Sequence, residues 1–153
     1  MVQRANMEGK PIFIQSQVLE SMINQNMVEA RQETNDVSSA VLEGSDVFIL
    51  SHETAVGGFP IEATELLAKS IAEAENIFDH VQAFQDLRDQ FEADRENTSA
   101  VDMLCTTATS IAIDSNVDLF ICLTQNGSIA RTLAKQRPFQ TILACSTFSN
   151  TVR

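Results

Sequence analysis

Three short polar segments of this chain combine residue types that can bind an anionic ligand. They are Gln15-Ser16-Gln17, Ser51–Gly58 and Thr124–Ser128, and each directly follows an apolar run. Hydroxyl groups and the backbone N–H groups at the start of a helix can hold a phosphate. If the apolar runs are strands of βα units, all three segments lie where such proteins bind ligands, at the carboxyl ends of strands.

The second segment carries the most functional groups. Ser51 and Thr54 supply hydroxyls, Gly57-Gly58 precedes a helix that begins at Pro60, and Glu53 could orient amides or counter a cation. The sequence does not match the phosphate-binding pattern GxxxxGK[ST]. An ordinary connecting loop explains the segment equally well.

The first and third segments have simpler explanations beside the functional ones. Ser16 could donate to or orient an anionic substrate, but Ser and Gln are common at strand ends, and spacing alone favours a plain turn. Thr124–Ser128 could bind an anion through backbone amides, or could be an Asn-Gly turn that leads into a helix.

Charge and composition exclude several function classes. The formal net charge of −11 over 153 residues disfavours binding to nucleic acid or to an anionic membrane surface. No apolar run has transmembrane length, and the first residues show no targeting signal, so we expect a cytoplasmic location. The three cysteines lack metal-site spacing, which predicts reduced thiols buried on apolar elements.

Alternating apolar runs and helical patterns predict an α/β fold with parallel strands. The predicted strands are Ile12–Ile14, Asp46–Leu50, Asp118–Leu123 and Thr141–Cys145. A helix is predicted from Thr34 or Asn35 to Gly44.

Two further patterns concern the middle of the chain. Apolar residues at three- and four-residue spacing from Leu67 to Phe91 predict one long helix that begins at Pro60. The acidic stretch 88–97 predicts a solvated helix end and a domain boundary, and Ser99 with Asp102 predicts a capping box at the next helix.

Several uncommon motifs occur in the order and at nearly the spacing of one family, and through them the chain resembles pyruvate kinase. In the first half they include Gly9-Lys10-Pro11, Gln17–Met22, Asp36–Gly44, Ser51–Gly57 and Phe59-Pro60; in the second half they include Leu123-Thr124, Asn126-Gly127 and Arg137-Pro138. The resemblance implies that residues 1–92 are the last two βα units of a TIM-type (β/α)8 barrel. It implies that residues 98–153 begin a parallel three-layer α/β C-terminal domain. The chain would then be a fragment of a divergent member.

The resemblance also assigns roles to residues. Ser16 takes the position of a Thr at the substrate phosphate and carboxylate, and the loop containing Ser51, Glu53 and Thr54 lines the nucleotide side. His52 stands where the family usually has Gly, and Val56 where it usually has Lys, so binding of the ADP phosphates is expected to be weakened.

Two further positions follow from the resemblance. Arg31 corresponds to a residue near the subunit interface. The third segment corresponds to the loop that holds the phosphate of a sugar-bisphosphate activator in regulated members, and its residues are Thr124, Gln125, Asn126, Gly127 and Ser128. Gln125 brings no positive charge, and Ile129 replaces a hydroxyl, so strong activator binding is not expected.

The activity implied by the family is phosphoryl transfer from phosphoenolpyruvate to ADP, giving pyruvate and ATP, with Mg²⁺ and K⁺. The family's catalytic Lys and metal ligands lie upstream of Met1, so the 153-residue chain is expected to be inactive alone. The parent is expected to be a homotetramer. The alternative is a non-catalytic module derived from the family, which binds an anion or joins a full-length subunit.

Overall fold

The structure is a computed structural model that describes residues 1–15, 18–24, 31–93 and 98–149, apart from the side chain of Arg31. It forms two compact units, Met1–Phe78 and Asp79–Arg153. Within the described residues, no helix is both long enough and apolar enough to cross a membrane.

The first unit is built on a two-stranded parallel sheet. Strand β1 is Phe13–Gln15 and strand β2 is Val47–Ile49, with Phe13 opposite Val47 and Gln15 opposite Ile49. The two strands therefore end at the same edge of the sheet. This edge is where a ligand site is expected in a βα protein.

Helices and the segment after β1 supply the core of this unit. Helix α1 is Val2–Met7, α2 is Arg31–Leu42, α3 is His52–Ala55 and α4 is Pro60–Asn76. A 3₁₀ turn, Glu20–Ile23, follows β1. The buried core consists of Val18, Leu19, Met22, Val37, Ala63 and Leu67. Because three of these six residues come from the segment after β1, the core anchors that segment.

Helix α2 begins a turn earlier than predicted, and its end follows the predicted signal. Gly44 adopts a positive φ of 98° just after the helix, which glycine reaches without steric cost. The Asp46 carboxylate then accepts the Ile12 N–H at 2.8 Å, and this bond fixes how β2 enters the sheet beside β1.

The prediction of one long helix after Pro60 is wrong. Helix α4 ends at Asn76, and a separate helix α5 covers His80–Ala93. The Asp79 carboxylate accepts the Gln82 N–H at 2.9 Å and so caps the start of α5. The spacing of apolar residues continues across the break, and for that reason the sequence predicted one continuous buried stripe. Val81, a residue of that stripe, is 46% exposed, so the stripe is not buried throughout.

The second unit contains α5 and a βαβ unit. Helix α6 is Ala100–Asp114, strand β3 is Leu119–Leu123, helix α7 is Ser128–Lys135 and strand β4 is Thr141–Cys145. The strands are parallel, with Leu119 opposite Thr141 and Leu123 opposite Cys145.

The N-cap half of the predicted capping box is present at α6, and the Asp102 carboxylate bonds to the Ser99 hydroxyl. The Ser99 hydroxyl accepts the Asp102 N–H at 3.1 Å and donates to the Asp102 carboxylate at 2.6 Å. The predicted α/β class with parallel strands is confirmed by both sheets. The domain limits 1–92 and 98–153 stay a prediction.

Candidate functional site

The segment after β2 folds into a tight turn that contains the single-turn helix α3. Ser51 precedes this helix, and the Thr54 hydroxyl lies 3.4 Å from the Ser51 carbonyl oxygen. Ser51 is half-buried, whereas His52, Thr54 and Val56 are exposed. The predicted residues Ser51, Glu53 and Thr54 therefore share one turn, with the hydroxyl of Thr54 at the surface and that of Ser51 near it.

Glu53 is turned inward and organises this segment. Glu53 is only 2% exposed, and its carboxylate accepts the Ser51 N–H at 2.9 Å. Burial raises the pKa of this carboxyl, but backbone hydrogen bonds from Glu53, Ser51 and Leu19, together with His52, outweigh burial and hold the pKa below its ordinary value. Glu53 is therefore a carboxylate at neutral pH.

The two glycines after α3 meet different surroundings. A Cβ added at Gly57 would lie 2.4 Å from the Glu53 carbonyl oxygen, closer than van der Waals contact allows. At Gly58 the nearest atom to an added Cβ is the Ile23 carbonyl oxygen, at 3.8 Å. That carbonyl accepts the Gly58 N–H at 3.0 Å, so the segments after β1 and β2 are joined directly.

A carboxylate from α2 bonds to the segment after β1. Glu33, in the first turn of α2, accepts the Ser21 N–H at 3.0 Å and the Ser21 hydroxyl at 2.6 Å. Sequence reasoning placed Glu33 only in the segment 31–33, which resembles a family segment near the subunit interface, and did not connect it to Ser21. An acidic residue in a first helical turn signals a favourable helix dipole, and nothing local connects it to a serine twelve residues earlier.

Two predicted site residues cannot be placed by their side chains. Ser16 lies outside the described residues, although Gln15, directly before it, pairs with Ile49 at the edge from which the Ser51 turn leaves. Arg31 is the first residue of α2, and its side chain is outside the described part of the structure.

The third predicted segment forms a compact turn at the start of α7. Thr124 is 8% exposed, and its hydroxyl accepts the Gly127 N–H at 3.0 Å. The Asn126 side chain accepts the Ser128 N–H at 3.1 Å, and the Gln125 carbonyl accepts the Ser146 hydroxyl at 3.3 Å. Gly127 has a φ of 77°, so the predicted Asn-Gly turn chemistry is present.

The C-terminal end of α7 is fixed to α6 by an ion pair. Lys135 Nζ lies 3.1 Å from an Asp102 carboxylate oxygen and 4.6 Å from the centre of the Phe91 ring. Burial raises the pKa of Asp102, but hydrogen bonds from the Ser99 hydroxyl and Lys135 outweigh it and hold the pKa below its ordinary value. The Lys135 ammonium group is therefore held in a structural ion pair at the end of α7, the helix that follows Thr124–Ser128.

Within ranges 1–15, 18–24, 31–93 and 98–149, no three His, Cys, Asp or Glu side chains are grouped so that they could hold an ion. Cys105 and Cys122 are buried as predicted, whereas Cys145 is only half-buried, so the prediction of three buried thiols is wrong for that residue. Burial first, then Asp102 and Cys122, raise the pKa of the Cys105 thiol.

Comparisons with known proteins agree with this arrangement. The family model described as the pyruvate kinase barrel domain matches residues 1–64. The chain is 37% identical over its full length to a pyruvate kinase of Eimeria tenella and 39% identical to one of Dictyostelium discoideum. It spans only 28% and 30% of the length of those two relatives.

Solved structures show the same relationship. A crystal structure of a Cryptosporidium parvum pyruvate kinase matches 96% of this chain with a TM-score of 0.83 and 35% identity, and the match covers 29% of that chain. The same enzyme in complex with ADP matches with a TM-score of 0.76 at 35% identity, again over 96% of this chain and 29% of the other. By sequence and by fold, this chain belongs to the pyruvate kinase family.

Proposed function

We propose that this chain supplies part of the active site of a pyruvate kinase that transfers a phosphoryl group from phosphoenolpyruvate to ADP. The observation that carries the proposal is the turn after β2. In this turn Thr54 is exposed and Ser51 is half-buried, and the Ser51 N–H donates to the carboxylate of the buried Glu53. This turn belongs to a chain that aligns over 96% of its length with an ADP-bound pyruvate kinase.

In this proposal the described residues bind and orient rather than carry out the chemical step. Ser51 and Thr54 hydroxyls donate to the nucleotide phosphates, and Ser16 donates to the phosphate and carboxylate of phosphoenolpyruvate. Val56 is 71% exposed where the family usually has a cation. We therefore propose weaker ADP binding than in members that keep a Lys at this position.

The isolated chain is proposed to be inactive. Phosphoryl transfer requires positioned cations that neutralise the charge developing on the transferred group. In the family these are a catalytic Lys with Mg²⁺ and K⁺, and the chain spans less than a third of the relatives' length. Mg²⁺ would supply electrostatic stabilisation of the transferred group when bound by residues of the larger enzyme.

The assay for this proposal is pyruvate formation by the purified 153-residue chain with phosphoenolpyruvate, ADP, Mg²⁺ and K⁺. We expect no pyruvate above that of a heat-denatured sample. Turnover by the isolated chain would show that the missing cationic groups are not needed. Intact-mass and peptide analysis of the native product gives the second test, since the proposal expects upstream peptides that contain the catalytic Lys.

Three further properties belong to the same proposal. The location is cytoplasmic, which is supported by relatives described as cytosolic isozymes in Nicotiana tabacum and Arabidopsis thaliana. The active form is a homotetramer with Arg31 near a subunit interface. The turn Thr124–Ser128 holds an activator phosphate weakly at most, since its own Thr124 and Asn126 side chains already accept two of its N–H groups.

One observation favours a second function, that of a non-catalytic assembly module. On strand β3, Leu119, Ile121 and Leu123 are 42%, 66% and 78% exposed and lie on one face. Parallel strands are normally covered on both faces. A module of this kind would cover the face by joining a full-length pyruvate kinase subunit. Co-purification with such a subunit of a native product that begins at Met1 would support it.

A further inference from the structure

Helix α6 carries apolar side chains on two of its faces. Its buried residues Cys105, Thr109 and Ala112 recur at spacings of four and three, and the helix packs against α7. Leu104 and Ile111 lie on another face of the helix and are 70% and 57% exposed. A helix that is apolar on more than one side is normally covered on each of them. The exposed face of α6 therefore has the composition of an interface.

We call this face the α6 stripe, and it consists of Leu104, Thr107, Ala108 and Ile111. These four residues have the spacing i, i+3, i+4 and i+7, so they lie on one side of the helix. The Thr107 hydroxyl donates to the Met103 carbonyl oxygen at 2.8 Å, within the helix itself. The α6 stripe can therefore lose its water without leaving this donor unpaired.

The distribution of charge indicates what can approach this face. The chain has a formal net charge of −11, so two copies repel each other over most of their surface. Helix α4 carries four glutamates and α5 carries three acidic residues, whereas no charged residue occurs from Met103 to Ile113. The α6 stripe is therefore a surface at which two copies of this acidic chain can meet without placing like charges together.

The α6 stripe is also complementary to itself. In an antiparallel pair of α6 helices with a two-fold axis midway between Thr107 and Ala108, Leu104 of each copy lies opposite Ile111 of the other. The smaller side chains of Thr107 and Ala108 then lie at the centre, where the two helices approach most closely. We infer that the α6 stripe is an isologous interface with a second copy of this chain. The inference involves neither Arg31 nor the residues proposed to bind substrate, so it does not depend on the proposed function.

The size of the α6 stripe indicates how strong this association is. Helix α6 has 15 residues, so it is about 22 Å long and about 10 Å wide. Contact between two such helices is smaller than the interface of a stable complex, which buries about 1,200 Å² or more. We therefore expect a reversible dimer whose population rises with protein concentration.

The experiment is analytical ultracentrifugation of the full 153-residue chain over a wide range of concentration. We expect a monomer–dimer equilibrium in the wild type. In Leu104→Glu the dissociation constant should rise about 100-fold or more, because the symmetric pair loses two buried leucine side chains. Leu123→Glu is the matched control, since Leu123 is 78% exposed on β3 of the same unit, and it should dimerise as the wild type does.

A mixture of two variants tests the antiparallel geometry. Leu104→Glu and Ile111→Lys should each be monomeric alone, because either homodimer would bury two unpaired charges. Mixed together they should form a dimer again, because the new carboxylate of one chain lies opposite the new ammonium group of the other. A mixture of Leu104→Glu with Leu104→Lys is the control, and it should stay monomeric because an antiparallel pair keeps these two positions apart.

Several results would overturn the inference. Leu104 and Ile111 are mostly exposed, so their variants should keep the circular dichroism spectrum of the wild type. A wild-type chain that is monomeric at every concentration would show that something other than a second copy covers the α6 stripe. Loss of the dimer in Leu123→Glu but not in Leu104→Glu would assign the association to β3.

Association of the wild type beyond a dimer is resolved in the Leu123→Glu background, which removes an exposed apolar side chain from β3. There we expect a dimer that Leu104→Glu abolishes, and a monomer would contradict the inference. Recovery of the dimer in the Leu104→Glu and Leu104→Lys mixture, in place of the mixture with Ile111→Lys, would contradict the antiparallel arrangement.

Discussion

The neighbouring residues Gly57 and Gly58 should respond in opposite directions to the same substitution. A Cβ at position 57 would lie 2.4 Å from the Glu53 carbonyl oxygen, a backbone atom that cannot rotate away. Relief of that contact to an ordinary separation requires the turn to shift by about 1 Å. Overpacking of this kind typically costs about 1 to 3 kcal/mol of unfolding free energy.

Gly58→Ala is the matched control for Gly57→Ala. The nearest atom to the new methyl group is the Ile23 carbonyl oxygen at 3.8 Å, an ordinary contact, and Gly58 is not among the glycines with positive φ. Alanine there should stabilise the fold by about 0.4 to 1 kcal/mol, because it restricts the unfolded chain.

The assay is urea unfolding followed by circular dichroism, since the chain has no Trp or Tyr for fluorescence. We expect the unfolding midpoint to fall for Gly57→Ala and to stay equal or rise for Gly58→Ala. A Gly57→Ala variant as stable as wild type would show that the turn is not packed on Glu53 as described.

Three further predictions concern the second unit, and each is measured by thermal or urea unfolding. Gly127→Ala should destabilise by about 1 to 2 kcal/mol because of the φ of 77°, and Gly127→Asn should cost less. Asp102→Asn should cost about 1 to 2 kcal/mol at pH 7. Because the folded pKa of Asp102 is lowered, its stabilisation is complete above the unfolded pKa and is lost as pH falls through the folded value, so the two proteins should converge in acid. Gln136→Met should stabilise by about 1 kcal/mol, since Gln136 is fully buried and neither polar atom of its amide has a hydrogen-bond partner within the described structure. A melting temperature that fails to move in the stated direction contradicts the corresponding contact.

The sequence predicted those elements whose signals are local. Strand Thr141–Cys145 has the predicted bounds, and Asp118–Leu123 is shorter by one residue, because continuous apolar runs are typical of parallel strands. The capping box of Ser99 and Asp102 was predicted for the same reason, since both partners lie within one helical turn.

Features set by distant contacts could not be predicted in this way. The break between α4 and α5 was missed because the apolar spacing continues across it, although Asp79 is a recognisable cap residue. Glu53 was predicted to lie in a polar loop, but the residue is only 2% exposed, and no local pattern in the sequence indicates that burial. The hydrogen bond from Ser21 to Glu33 could not be predicted either, because it joins the segment after β1 to helix α2, twelve residues further along the chain.

Residue roles in the candidate site came from the family resemblance, because hydroxyls and glycines in a loop do not identify a ligand. Ser51 and Thr54 are typical of turns as well as of phosphate sites. The shared edge of β1 and β2 adds the physical reason that these residues can act with the segment containing Ser16. The nature of the ligand remains a proposal that kinetics must test.

The most direct test of the central claim is a transplant into an active relative. Residues 1–153 replace the matching segment of the Cryptosporidium parvum pyruvate kinase, and pyruvate formation by the chimera is measured against ADP concentration. The account predicts turnover above a heat-denatured control, with a KM for ADP that is higher than in the relative and is lowered by Val56→Lys. A folded chimera that forms no pyruvate, with or without that substitution, would contradict the claim that this chain supplies a working part of the active site.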